Sequence, residues 1–168
     1  KSGGGSEQVQ SARGLNVTLT VAGTADLLIN SATATQTLTL TAGRHVEEWN
    51  PDPGIDLGGN LTVIRAGGNV GGQGAIELST WNVDVVAGGA INLENRSGGT
   101  TTVRQLEAVG NGTYLKTGGG AEQLQWVRGA NVNINVVGAA ASIFAGDVAA
   151  TGSVTLNAGA AVNELGAD

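Results

Sequence analysis

The chain of 168 residues has no cysteine and no methionine, two prolines, one phenylalanine, one tyrosine and three tryptophans. Without cysteine there is neither a disulfide framework nor a thiolate metal site. The missing initiator methionine gives the expectation of a processed chain or an excerpt of a longer one. Aromatic residues at 3% and charged residues at 13% fall below the usual globular share, which argues against a compact core of large side chains. No apolar run approaches the roughly 18 residues of a membrane-spanning helix, and no signal peptide is recognisable. Positive charge is scarce too. Eight Lys and Arg against 14 Asp and Glu leave a net charge of −6, the wrong sign for a nucleic-acid phosphate backbone.

What the chain does have is 29 glycines and a regular recurrence of Val, Ile and Leu among Ala, Thr and Asn. Such recurrence is a poor fit to disorder. A pattern of polar and apolar residues in alternation, followed by Gly, begins at Asn16-Val17-Thr18-Leu19 and returns at Thr37-Leu38-Thr39-Leu40 and Asn60-Leu61-Thr62-Val63. It recurs at Asn82-Val83-Asp84-Val85, Asn131-Val132-Asn133-Ile134 and Ser153-Val154-Thr155-Leu156, with a degenerate copy around Val103. The copies are closed by Gly23, Gly43, Gly67, Gly88, Gly110, Gly138 and Gly159, which are evenly spaced except for one wider gap after Gly110. Alternation over four to six residues describes a strand with one face buried. Two or three such strands per turn with glycine corners describe a coil of an all-β, parallel β-solenoid, the coils being about 20–24 residues long.

A second period is longer. Lys1 to Gln10 aligns without gaps to Lys116 to Gln125, and 12 of residues 1–21 are identical to their counterparts in 116–136. The offset of 115 corresponds to five coils of 23. The expected organisation is therefore one five-coil repeat over 1–115 and the start of the next over 116–168, in a continuous solenoid without a second independent domain. Stacked neighbours bury each other's ends in such an array.

In-register stacking predicts an inward ladder of Val17, Leu38, Leu61, Val83, Val132 and Val154, with its partner ladder Leu19, Leu40, Val63, Val85, Ile134 and Leu156. Each buried aliphatic contributes about 1.5 to 3 kcal/mol. Outward positions read Thr18, Thr39, Thr62, Asp84, Arg104, Asn133 and Thr155, which places Asp84 beside Arg104. Asn and Thr stacks can hydrogen-bond along the axis. Seven coils at about 4.8 Å each make a rod on the order of 34 Å long.

Few residues point to chemistry. His45, Glu47 and Glu48 could hold a metal, but no second His or Cys completes the set, and the expected reading is a polar coil edge. Asn50-Pro51-Asp52-Pro53-Gly54 has turn chemistry and is expected to protrude as the best candidate recognition loop. Gly71-Gly72-Gln73-Gly74 lacks the aspartate of a calcium-binding nonapeptide, and Gly118-Gly119-Gly120 lacks the Lys-Ser/Thr of a phosphate loop. The acids look singly spread among coils, unlike the paired carboxylates of glycosidases. No catalytic residue, metal or cofactor is expected, and no enzymatic activity.

Leu38-Thr39-Leu40-Thr41-Ala42-Gly43, Val83 to Leu93 and Gly152 to Gly159 resemble the shaft repeats of filamentous-haemagglutinin-type, two-partner-secreted proteins. The resemblance covers most of residues 15–168. It implies a right-handed parallel β-helix in a large exported bacterial adhesin, placed outside the cell or on its surface. Partners would then be further copies of the same repeat, with host or surface glycans bound through other domains. No Arg-Gly-Asp occurs, since Arg128-Gly129 leads into Ala130. The alternative is a subunit of a self-assembling extracellular filament or sheath that stacks through its terminal coils.

Overall fold

A computed structural model describes residues 4–166. All its named elements are strands, and every pairing between them is parallel. The chain winds as a β-solenoid of eight turns. The first turn holds β1 (Glu7–Val9) and β2 (Ala12–Val21), the second β3 (Leu27–Ile29) and β4 (Ala32–Ala42), and the third β5 (Val46–Glu48) and β6 (Leu57–Ala66). In the fourth, a single bridging residue, Val70, precedes β7 (Ile76–Ala87). The remaining turns hold β8 (Ile91–Asn95) and β9 (Thr101–Ala108), β10 (Gly112–Lys116) and β11 (Glu122–Gly129), β12 (Val132–Val136) and β13 (Ile143–Ala150), and finally β14 (Val154–Ala158) and β15 (Val162–Glu164).

Two sheets result. One runs β1-β3-β5, through Val70, to β8-β10-β12-β14, and the other runs β2-β4-β6-β7-β9-β11-β13-β15; they are joined where Ile76 to Leu78 at the start of β7 pairs with Leu93 to Asn95 of β8. Coil length is not constant: in the first sheet the shortest coil runs from Leu27 to Val46 and the longest from Val46 to Val70. Glu7 reaches Gly112 in five steps, through Leu27, Val46, Val70 and Ile91. Glu122 then lies further round the same turn, in the other sheet. The two copies of the long repeat are thus about five and a half turns apart and enter opposite sheets. The wide gap between Gly110 and Gly138 is where the alternating motif changes sheet: Val103 pairs with Leu124, whereas Val132 pairs with Gly112 and Val154.

The interior is a set of side-chain columns. In the second sheet Leu38, Val83, Val103 and Leu124 form one, and Leu40, Val85, Leu106 and Val127 form the next, all fully buried. Val17 and Leu19 begin these columns in the first turn, Leu19 partly exposed. Val132 and Ile134 are buried in the other sheet, and Val154 and Leu156 continue them into the last turn. There Val154 is 44% exposed because no coil covers it.

Leu61 and Val63 depart from the expected ladder. They pair with Thr37 and Thr39 on the outward rows, while Thr62 and Ile64 point inward and are fully buried. The cause is a register shift in which β4 carries one extra residue: the four steps from Thr33 to Thr37 oppose only three from Gly58 to Leu61. Counting back from Ala66-Gly67 gives the right phase; counting forward from Asn60 does not. A second correction concerns Asp84, which pairs with Arg65 at 2.7 Å and not with Arg104. A bulge after Val83 sets Asp84 opposite Gln105 and leaves Arg104 exposed.

The corner glycines are needed for close approach more than for unusual torsion. Gly43, Gly67 and Gly88 have no positive φ, yet a β-carbon on each would fall on the carbonyl oxygen of the glycine one coil below. Positive φ is confined to other corners, including Gly119 (φ 82) and Gly120 (φ 75), which do turn the chain between β10 and β11.

Candidate functional site

Three carboxylates converge at one lateral edge of the solenoid. Glu48 ends β5, Asp56 immediately precedes β6 and Glu77 is the second residue of β7. One oxygen of each lies within 4.8 Å of the others. All three are buried, at 5%, 3% and 7% exposure. Coil stacking brings them together. The Asp56 amide donates to the Glu77 carbonyl at 3.0 Å, and Glu77 pairs in register with Glu94, so Asp56, Glu77 and Glu94 sit at the same edge on successive coils. Glu48 turns inward because it takes the place that Ile29 has one coil earlier.

A single guanidinium answers this charge. Arg96 grips Glu94 through Nε to Oε1 at 2.7 Å and Nη2 to Oε2 at 3.1 Å, and reaches Glu77 Oε1 with Nη2 at 3.4 Å. Glu77 Oε2 is buried and has no hydrogen-bond partner. Burial, and then the adjoining Glu77 carboxylate, pushes the Asp56 carboxyl up to about 8. Burial likewise raises Glu48, whereas the Arg96 guanidinium holds Glu94 below the usual carboxylate range. An acid at about 8 is protonated at neutral pH.

Asn50, Pro51, Asp52 and Pro53 lie on the surface as expected, but they are tied down over this edge. The Asp52 amide donates to Glu48 Oε1 at 2.6 Å, the Gly54 amide donates to Asp52 Oδ1, and the Pro53 carbonyl accepts from Arg96 Nη1. His45, Glu47 and Glu48 do not meet at one point. His45 Nδ1 accepts the Asn69 amide at 2.8 Å, and Glu47 Oε2 accepts the Gln73 amide at 3.1 Å, so Glu47 holds the glycine-rich turn at 71–74.

A second polar group lies inside the solenoid, where β10 turns into β11. Tyr114, Lys116, Glu122 and Asn95 are all fully buried. Asn95 Nδ2 donates to the Tyr114 hydroxyl at 2.9 Å, which donates to Glu122 Oε2 at 3.2 Å; Thr101 Oγ1 donates to the same oxygen. Lys116 Nζ donates to the Ser97 carbonyl at 2.9 Å. Burial lowers the Lys116 ammonium and raises the Glu122 carboxyl to about 7, the latter opposed by Thr101, Lys116 and Tyr114. The network joins two successive coils, reaches a third where Asn95 Nδ2 donates to the Thr80 carbonyl at 3.1 Å, and is sealed from solvent.

Sequence reading placed Glu48 near a possible metal set but missed Asp56 and Glu77 as its partners. A signal existed in the spacing. Asp56 and Glu77 are 21 residues apart, one coil period, whereas Glu94 follows Glu77 by only 17 and is not predicted by that period. The described residues contain no helix long and apolar enough to cross a membrane. No protein-family model, no curated protein and no solved structure matches the chain.

Proposed function

We propose that the chain is a length of structural shaft in a large, repetitive, secreted or cell-surface adhesin or fibre of bacterial origin. The observation that carries this reading is the continuity of the two sheets. Eight turns stack without a break, at about 4.8 Å each, into a rod about 38 Å long. Length in such a fold grows with repeat number while cross-section stays constant. That property suits a spacer that carries binding domains away from a surface, including domains for glycans.

The same reading leaves catalysis out. Glu48, Asp56 and Glu77 are too buried for a polysaccharide to reach them, and two of them hydrogen-bond to the chain's own backbone. Their arrangement braces a coil edge.

A filament built from separate subunits is the second reading, favoured by the last turn. Val154 and Val162 are 44% and 49% exposed, and among the described residues β14 and β15 each have one unpaired edge. A bare parallel edge with apolar side chains invites another coil, whether from the same chain or from a second copy.

Electron microscopy and small-angle scattering of the purified chain, and of two- and three-copy concatemers of residues 1–115, test both readings. The shaft reading expects rods of fixed width that lengthen by about 26 Å for each added 115 residues, from about five and a half turns at about 4.8 Å. Compact particles whose width grows with copy number would defeat it. Micrometre fibres from the single chain, abolished by Val154→Lys, would favour the filament.

A further inference from the structure

We propose that the edge pocket formed by Glu48, Asp56 and Glu77 is a calcium site, roofed by the turn at Asn50 to Gly54. The three oxygens lie within 4.8 Å of one another, which is the span of two oxygens on opposite sides of an ion with calcium-to-oxygen distances of about 2.4 Å. All the donors are carboxylate oxygens, the hard ligands that calcium takes in flexible geometry, with water completing the shell. Magnesium prefers shorter bonds, about 2.0 to 2.1 Å, and keeps more of its own water.

An acidic edge alone would not identify a ligand. The second observation is Glu77 Oε2, a carboxylate oxygen with no donor, on a residue that is only 7% exposed. Leaving such an oxygen unpaired costs free energy that a cation removes. The charge balance agrees. Glu48, Asp52, Asp56, Glu77 and Glu94 face this edge with Arg96 as their counter-ion, and Arg96 is already engaged by Glu94, the Pro53 carbonyl and the other oxygen of Glu77. Glu47 is turned away to the Gln73 amide.

The competing occupant is a proton, since a carboxylate ligates calcium only when ionised. Calcium must displace that proton, so its binding strengthens as pH rises. The turn at Asn50 to Gly54 then has a reason to be tied to Glu48 through the Asp52 amide: it closes over the ion.

The test is thermal unfolding and titration calorimetry of the full chain with calcium chloride at pH 8 and pH 5. At pH 8 the midpoint is expected to rise by about 5 to 10 °C once calcium reaches about a hundred times its Kd, with a much smaller rise at pH 5. Glu77→Gln and Asp56→Asn each lose the response, while Glu107→Gln on the outer face retains it. If Asp56→Asn fails to fold, terbium luminescence sensitised by Trp49, beside Glu48, reports the site in the unaltered chain and must be quenched by calcium. A midpoint unmoved by millimolar calcium at pH 8, an equal response in Glu77→Gln, or an equal shift with magnesium would each overturn the proposal.

Discussion

Thr62 carries a hydroxyl into a column whose neighbours above and below are Leu38 and Val83, and its Oγ1 has no partner. A buried, unpaired hydroxyl costs about 1 to 3 kcal/mol, so replacing it by the similarly shaped valine should help. Thr62→Val is expected to stabilise the chain by about 1 kcal/mol in chemical denaturation; a loss of stability would mean that Oγ1 has a partner in solution. The residues on either side of this position give a sharper test of phase. Ile64→Ala should cost about 2 to 5 kcal/mol because its side chain is fully buried, whereas Leu61→Ser on the outward row should cost far less. Equal costs would contradict the observed register. Gly67→Ala sets a methyl group against the Gly43 carbonyl and is expected to destabilise by about 1 to 3 kcal/mol through overpacking.

Between coils, two devices recur. Arg65 donates to the carbonyl and carboxylate of Asp84, and Arg128 does the same with Asp147. In each case the Asp lies two positions before the Arg's register partner on the next coil, Val86 and Ala149. Arg128 also lies 4.0 Å over the Trp126 ring. Both clamps are partly exposed, so Arg65→Met should cost less than about 1 kcal/mol. Asparagine supplies the second device: Asn131 Oδ1 accepts from both the amide and the hydroxyl of Ser153 at 3.0 Å, and Asn16 Oδ1 accepts the Thr37 amide at 3.2 Å. Axial hydrogen bonding by Asn was legible from the sequence. The acidic edge was legible only in the spacing from Asp56 to Glu77, because Glu48 and Glu94 join it through coil lengths that differ from one turn to the next.

Those buried acids set the pH dependence of the whole calcium-free solenoid. Asp56 and Glu122 ionise at about 8 and about 7 in the folded chain, against about 3.9 and about 4.3 when unfolded. Between these values the folded state keeps protons that the unfolded state has released, so stability falls as pH rises from about 4 to about 8. Asp26 works the other way. Its bond from Arg44 lowers it to about 2, and that contribution is lost as pH falls from about 4 to about 2. In EDTA, melting temperature is therefore expected to peak at about pH 4 to 5 and decline toward pH 8. The double variant Asp56→Asn, Glu122→Gln should flatten the decline; an unchanged slope in that variant would show that other groups titrate.

The repeat has a consequence at the same scale. Because its two copies are out of phase with the coils, Arg13 near the start of β2 and its counterpart Arg128 near the end of β11 lie in different pairing contexts, beside Thr33 and Ala149. Both copies nevertheless place glycines, Gly4-Gly5 and Gly119-Gly120, ahead of a strand that starts at Glu7 or Glu122. A corner followed by a strand is a local instruction, and the chain follows it in either sheet.

Periodic alternation, glycine spacing and the lack of large aromatics were enough to establish a parallel solenoid, since each strand needs one buried face and each turn needs a corner. Most of the inward ladder followed, including Leu38, Leu40, Val83, Val85, Val132 and Ile134. Alternation has period two, so it cannot say which of two adjacent residues points inward once a coil gains an extra residue. Tertiary stacking made that choice at Thr62 and Ile64, at the bulge after Val83 and at the change of sheet near Val132. It also brought Glu48, Asp56 and Glu77 within one ion's reach, because residues about a coil apart in sequence become neighbours only when the coils are laid on one another.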